Sequence, residues 1–402
     1  MSKGTIIAGL DIGTATIKTL ICQKKPKKTD LEVLGQNKEI SSGVRKGVII
    51  NVKEVSKIIK NSIEKTQEIA KEKINSALVN VGGAHVFFTT SHGLISVSRA
   101  DQKISQEDIE RVIQAAQTVS LPSNKEILSV IPKEFIIDNE GGIKEPLGMK
   151  GVRLEVEVGI LGGFSPYLKN LTQAILDSGL QIDDLILTPL SSARSVLTPR
   201  EKELGVALLD IGAGTTGLAV FEEGELIYTT IFPIGSAHIS NDIAVGFRCD
   251  IDTAEKMKLE WGTCFFKGPD KKTKIETVEG ENLIFSQKML SKIIEARVAE
   301  IFEVANKELK KISRQAKLPG GLVLTGGGAK LPKIKDLAKR ELRLHCRIGS
   351  PQGFSPFLED PELAVVSGLV LMGTDLETER TFSTFGRGIV SRLKKLFKIF
   401  LP

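Results

Sequence analysis

The sequence predicts an α/β protein of two related halves, with a small α+β module inserted in the first half and an amphipathic helix at the C-terminus. Three observations carry that prediction. Leu208 to Leu226, LLDIGAGTTGLAVFEEGEL, reads as an apolar strand ending at Asp210, a small-residue turn Gly212-Ala213-Gly214-Thr215-Thr216, and a second strand, Leu218 to Phe221, that turns again at Glu223-Gly224. Gly9 to Ile21, GLDIGTATIKTLI, repeats the device as strand, Asp11, turn Gly13-Thr14-Ala15-Thr16, strand. Gly320 to Pro332, GGLVLTGGGAKLP, adds a strand running into Gly326-Gly327-Gly328, with a helix after Pro332.

Taken singly, each stretch is an ordinary glycine-rich turn. Two such hairpins far apart in one chain point instead to two halves clasping one phosphate-bearing ligand. Glycines let the backbone approach a ligand, and successive amides form an anion nest. A carboxylate beside such a nest suits a hydrated divalent cation bridging phosphates better than bare phosphate.

With 402 residues the chain is long enough for two or more domains with real cores, and 41% hydrophobic and 26% charged residues are ordinary for a globular protein. The net charge is +6, but its local distribution matters more than the sum. The four cysteines, Cys22, Cys249, Cys264 and Cys346, are scattered without metal-ligand or disulfide spacing, so reduced thiols are expected. The N-terminus leads directly into a strand, so no signal peptide is expected, and no apolar run approaches the ~20 residues that span a bilayer. An aromatic content of 5% and the lack of a recognition motif argue against nucleic-acid binding.

Beyond the first hairpin, Leu31 to Ile40 reads as a strand, Val52 to Lys71 as an amphipathic helix on Val52, Val55, Ile58, Ile59 and Ile63, and Ser76 to Val81 as a strand. Val86 to Ser98 reads as strands broken at Ser91-His92-Gly93. The next helix has Ser105 as its cap, Asp108 three residues on and an Ile104–Ile109 staple, with Ile109, Val112, Ile113 and Ala116 buried. Ile127 to Ile137 and Val152 to Ile160 are strands, the second placing Arg153, Glu155 and Glu157 opposite Val152, Leu154, Val156 and Val158. Residues 84–162 thus form a compact module without a catalytic cluster, a candidate for protein contacts; His85 and His92 are read as strand or turn residues.

Ser165-Pro166 is read as cap and first turn of a helix on Leu168, Leu171 and Ile175, ended by Gly179. Leu185 to Leu187 is a short strand. Gly235 to Gly262 is helical with a break near Arg248-Cys249-Asp250. Within it, Glu255 and Lys258 share one helix face, by spacing alone a surface ion pair. Phe265 to Glu281 is rich in lysines and turns. Ser286 to Arg314 is a long helix with Leu290, Ile293, Ile294, Ile301, Ala305 and Leu309 on its apolar side and Lys292, Arg297, Glu300 and Lys307 on the other. Ile334 to Leu342 and Pro361 to Met372 are helices, the latter closing the first domain. Thr374 to Gly388 is polar and aperiodic and reads as a linker.

In the tail GIVSRLKKLFKIFLP, Ile389, Leu393, Leu396, Phe397 and Phe400 make an apolar stripe broadened by Val390 and Leu401. Arg392, Lys394, Lys395 and Lys398 lie on or beside the other face, without an acid. That is the pattern of an interfacial membrane helix, and an anionic leaflet adds about 1 kcal/mol per basic residue near its surface. Docking on the protein itself, or on a partner as a helix in a groove, are the competing readings.

These strings, together with PLGMKGVRLEVEV, PLSSARSVLTPREKELGVALLDIGAGTTGLAVF and IDTAEKMK, resemble the actin-like ATPase superfamily of actin, sugar kinases and heat-shock chaperone ATPases. Within it they resemble the FtsA family of bacterial cell-division proteins, which links the tubulin-like FtsZ to the membrane. The matches cover nearly the whole chain. The resemblance implies an actin-like two-domain ATPase fold divided into 1–83, 163–197 and a closing helix 361–373 (domain 1), the insert 84–162, and 198–245 with 315–360 (domain 2). It further implies an outer subdomain 246–314 as candidate binder of the FtsZ C-terminal peptide, a linker 374–388 and a membrane helix 389–402.

ATP and Mg2+ are the implied cofactors. Asp11, Gly13, Thr14, Ala15, Thr16, Gly212, Ala213, Gly214, Thr215 and Thr216 would face the phosphates. Lys18 either reaches them or ends its strand as a surface lysine. Asp11 and Asp210 would hold magnesium through water, Asp210 being the candidate catalytic group, and Glu255, Lys258 and Gly326 to Gly328 would meet ribose and adenine. The implied partners are FtsZ, an anionic membrane surface, further copies in filaments, and division proteins meeting the insert, at the cytoplasmic face of the cell membrane at the septum. One departure stands out: Gly217 occupies a position where FtsA-like sequences usually carry aspartate near the attacking water. A slow or undetectable ATPase is therefore expected, with ATP acting as a conformational switch. A pilus-assembly scaffold and a small-molecule kinase share the same core; the kinase would need a general base that the sequence does not supply.

Overall fold

The computed structural model describes residues 4–26, 29–118, 121–278 and 280–382. Strands β1 (Thr5–Ile12), β2 (Thr16–Lys24) and β3 (Leu31–Ile40) make an antiparallel meander. A small hairpin, β4 (Val44–Arg45) and β5 (Val48–Ile49), precedes helix α1 (Val52–Ala70) and strand β6 (Ser76–Val81), which returns parallel to β1. Helix α1 forms where the sequence predicts it. Asn51 accepts from the Glu54 amide at its N-terminus, Val55, Ile59 and Ile63 are its buried face, and Lys71 ends it in the left-handed region.

The inserted module runs β7 (Phe87–Ser96), α2 (Gln106–Gln117), β8 (Lys125–Ile137), β9 (Glu140–Ile143) and β10 (Arg153–Phe164), with sheet order β7-β10-β8-β9 and its own core of Val112, Ile113, Phe135, Leu154, Val156 and Val158. Strand β7 is continuous through Ser91-His92-Gly93, against the expected break. Gly93 is there because α2 crosses it: a Cβ would stand 2.2 Å from the Val112 carbonyl oxygen. Glu155, expected among solvent-facing residues, is buried, held by His92 and Arg153 at 2.7 Å each, whereas Val152 is exposed. The Ser105–Asp108 capping box is present.

The chain returns through α3 (Ser165–Asp177), β11 (Gln181–Leu187), α4 (Thr188–Val196) and α5 (Pro199–Leu204). Ser165 is not the cap of α3; it is the first, buried helical residue after Phe164. Strand β11 starts at Gln181, four residues before the expected strand, because it pairs along β6.

The second half repeats the first. Strands β12 (Val206–Ile211), β13 (Thr216–Glu222) and β14 (Glu225–Phe232) form another meander. Helices α6 (Ser236–Phe247) and α7 (Ile251–Trp261) follow, with Arg248 in the left-handed region at the expected break. The lysine-rich stretch after them is not all turn: β15 (Lys272–Glu276) pairs with β16 (Asn282–Ser286). Then come α8 (Gln287–Lys311), β17 (Gly321–Thr325), α9 (Ile334–Leu342), β18 (Cys346–Ile348), β19 (Phe354–Ser355) and α10 (Ala364–Phe382). The two main sheets have one plan, β3-β2-β1-β6-β11 and β14-β13-β12-β17-β18, with β19 added beside β3. Each is a meander extended by two parallel strands, covered by helices on apolar faces.

Helix α10 overturns part of the expected linker, since Thr374 to Phe382 continues the helix. Polar composition misled there. Asp375 is bound by Arg194 and Leu376 is buried, so the helix keeps a packed side past the end of its apolar run. The expected membrane helix, Ile389 to Phe400, lies outside the described residues.

Candidate functional site

The two glycine-rich hairpins are the same object built twice. In the first, Asp11 stands opposite Lys18 and the Gly13 amide donates to the Thr16 carbonyl at 3.0 Å. In the second, Asp210 stands opposite Gly217 and the Gly212 amide donates to the Thr215 carbonyl at 2.9 Å. They face each other across a cavity of about 430 Å³ whose lining also includes Glu255, Lys258 and Gly326 to Gly328. The residues singled out in three distant stretches thus meet in one cleft.

The equivalence explains one correction. Thr216 falls where the first hairpin has Ile17, a core position, and its hydroxyl donates to the Ile234 carbonyl at 2.8 Å. Its side chain faces the core and does not line the cleft. Gly214 does not line it either; it lies against Thr14.

Lys18 is no surface lysine. It is buried, and its Nζ donates to Asp11 Oδ2 at 3.0 Å. Burial alone would lower its pKa, but the charge and hydrogen bond of Asp11, with Glu362 and Asp210 behind, outweigh burial and leave it raised. It is held as a cation.

Asp210 is the opposite case. Burial pushes its carboxyl up to about 6, the nearby Asp11 charge adds to the effect, and only a hydrogen bond from the Ser192 hydroxyl and the Lys18 charge resist. Gly326 brings backbone against it. Its φ is 82°, and a Cβ there would stand 2.3 Å from Asp210 Oδ1, so only glycine fits. Gly217 adds no side chain; the ring of Pro189 lies over it.

Lys258, read from spacing as half of a surface pair, is buried. Its Nζ is 2.6 Å from Glu255 Oε2 and donates to Ser240 Oγ at 2.9 Å. The second hairpin is fastened to α6, whose Ser236 and Ala237 amides donate to the carbonyls of Gly212 and Ala213 at 2.8 and 2.9 Å.

Several site residues escaped the sequence reading. Asn80 accepts from the Ile12 amide at 2.7 Å and donates to the Thr188 hydroxyl at 3.1 Å, joining β6, β1 and α4 beneath the first hairpin. A polar residue inside the apolar strand SALVNV was its only signal. Glu362 gathers three lysines, Lys38 at 2.6 Å, Lys330 at 3.7 Å and Lys18 at 3.9 Å, from sequence positions no local pattern could connect.

The residues fit a hydrated cation with a polyphosphate. Among the described residues no group of three or more His, Cys, Asp or Glu side chains is placed to grip an ion directly. Two carboxylates, one on each wall, suit a cation that keeps most of its water, with the hairpin amides left for anionic oxygens.

The repeated sheet plan and the paired hairpins define an actin-like protein. Among solved structures the chain resembles the PilM-PilN type IV pilus biogenesis complex, with a TM-score of 0.67, 16% identity and coverage of 91% of this chain and 98% of the other. It also resembles MreB 5 of Spiroplasma citri bound to AMPPNP, at 0.57 and 14%, covering 95% and 99%. At these identities the likeness concerns the fold. Sequence goes further: cell division protein FtsA of Pseudomonas aeruginosa is 34% identical over 385 residues, covering 94% of this chain and 92% of the relative. That of Borreliella burgdorferi is 38% identical over 380 residues, covering 92% and 91%. The profile of cell division protein FtsA matches residues 207–368, and that of the SHS2 domain inserted in FtsA matches residues 83–161. The chain belongs to the FtsA family of cell-division proteins.

Proposed function

We propose that this cell-division protein binds Mg-ATP in the cleft, polymerises, and tethers FtsZ to the cytoplasmic face of the cell membrane at the septum. The observation that carries the proposal is the pair of equivalent hairpins facing each other with one carboxylate each. In this reading Gly13, Thr14, Ala15 and Thr16 meet the phosphates from one wall, and Gly212, Ala213 and Thr215 from the other. Lys18 leaves Asp11 for a phosphate oxygen, and Asp11 and Asp210 orient the waters of magnesium. Glu255 and Lys258 take the ribose hydroxyls, with Gly326 to Gly328 beside the adenine. Residues 246–314 receive the FtsZ C-terminal peptide, residues 84–162 meet neighbouring copies and other division proteins, and residues 389–402 lie in the membrane surface. Metal and amides would supply the electrostatics of phosphoryl transfer. Gly217 offers nothing to orient a water, so nucleotide serves chiefly as a conformational switch.

The test is co-pelleting with anionic liposomes, comparing the full chain with one ending at Phe382, each with and without Mg-ATP and FtsZ. The cut follows α10 rather than falling inside it, so the Arg194–Asp375 pair survives. Pelleting of the full chain with FtsZ, and of neither with the truncation, supports the tether. Equal pelleting of both chains removes the anchor from residues 389–402, and no pelleting removes membrane binding.

A further inference from the structure

Helix α4 touches both the cleft and α10, and seven of its nine residues are buried. Toward the cleft, Ser192 hydrogen-bonds Asp210. Away from it, the hydroxyls of Ser191 and Ser195 donate to the carbonyls of Val365 and Ala364, at 2.7 Å each, in the first turn of α10. Arg194 grips Asp375 with two hydrogen bonds, Nε to Oδ2 at 2.9 Å and Nη2 to Oδ1 at 3.1 Å. These two fastenings lie about 16 Å apart along α10, at 1.5 Å per residue.

The contact between the helices has no slack. A Cβ on Gly368 would stand 1.7 Å from the Ser191 carbonyl oxygen, so the two backbones touch. Close-packed interiors transmit displacement rather than absorb it. Ser191, Ser192, Arg194 and Ser195 fall within little more than one turn and move together. A change in what Asp210 holds therefore alters what Ser192 faces, and any shift of α4 that follows would be felt at α10. Beyond Phe382 the chain continues into residues 383–402.

We infer that α4 is a relay between the cleft and α10, with Ser192 as positioning residue for Asp210 and the Arg194–Asp375 pair as its output. Its input rests on the nucleotide reading above; the mechanical coupling does not. Coupling between two sites is reciprocal, so loosening the output must be felt at the cleft.

Hydrogen exchange of the full chain tests this in two arms. In nucleotide-free protein, Arg194→Lys and Asp375→Asn are each compared with the parent. The relay predicts several-fold faster exchange in residues 211–217, which neither substitution touches. Changes confined to residues 188–198 and 364–376 would overturn it. In the second arm, Mg-ATP should slow exchange in both 211–217 and 364–376 of the parent. At Mg-ATP concentrations high enough to give the first effect, Ser192→Ala should lose the second, and Ser192→Thr should restore it. Retention of the α10 response in Ser192→Ala also overturns the relay. If Mg-ATP protects nothing in 211–217 of the parent, the nucleotide reading falls and the nucleotide-free arm decides the relay alone.

Discussion

The backbone of Gly214 rests on the side chain of Thr14: a Cβ at position 214 would stand 2.6 Å from the Thr14 hydroxyl oxygen. The tips of the two hairpins, one from each half, are in contact. That hydroxyl also accepts a hydrogen bond from the Gly47 amide at 3.0 Å, so it is not free to turn away.

Gly214→Val should hold the tips apart and prevent the two walls from engaging one ligand. Titration with a fluorescent ATP analogue is expected to show about tenfold weaker binding, about 1.4 kcal/mol. The melting temperature of the unliganded protein should fall as well, since Gly214 is buried against Thr14 and the added side chain must displace it.

Asp210 costs the unliganded protein stability. Its folded pKa of about 6 lies above the ordinary carboxylate value, so the folded state holds its proton more tightly than the unfolded state. The penalty is absent below about pH 4, grows as pH rises toward 6, and is complete above it. Asp210→Asn should be more stable than the parent at pH 7, by about 1–3 kcal/mol, and equal to it below about pH 4. It should also fail to gain stability from Mg-ATP. Thermal melts across pH, with and without ligand, check both halves.

Asp108 has the opposite sign. Burial would raise its carboxyl, but hydrogen bonds from Ser105 and Ser98 prevail and hold it down at about 2. Its contribution is present above about pH 4 and is lost as pH falls through 2. Asp108→Ala removes the capping partner of α2 and leaves those donors unpaired, an expected loss of about 1–3 kcal/mol. Limited proteolysis at neutral pH should then cut first within residues 84–162.

Turnover follows from Gly217. With no side chain at that position, ATP hydrolysis by the purified protein should lie at least about 100-fold below the ~1–1000 per second of ordinary enzymes. A phosphate-release assay reads this directly. Efficient turnover would show that water is oriented from elsewhere.

The hairpins were legible in the sequence because local chemistry writes them: a strand, a carboxylate, then turn residues that few other structures want. Helix α1 and the cap of α2 were legible for the same reason. Gly93 was misread because a glycine admitting a crossing helix looks, in one dimension, like a glycine that breaks a strand. Glu155 was placed on the solvent side by alternation, which cannot anticipate His92 arriving from the neighbouring strand. The linker was misread because the partner that keeps α10 helical past Gly373 is Arg194, far back in the chain. Thr216 was assigned to the ligand along with the turn it ends, when its place in the hairpin, equivalent to Ile17 in the first, put it in the core. What escaped was in each case long-range.

The cleft carries four lysines, Lys18, Lys38, Lys258 and Lys330, and four carboxylates, Asp11, Asp210, Glu255 and Glu362. Glu362 alone counters three of those lysines. A mouth with balanced charge casts little field into solution, so it neither hoards ambient anions nor draws in its ligand from afar. Association should then depend only weakly on ionic strength, and discrimination among anions should come from shape after encounter rather than from attraction before it.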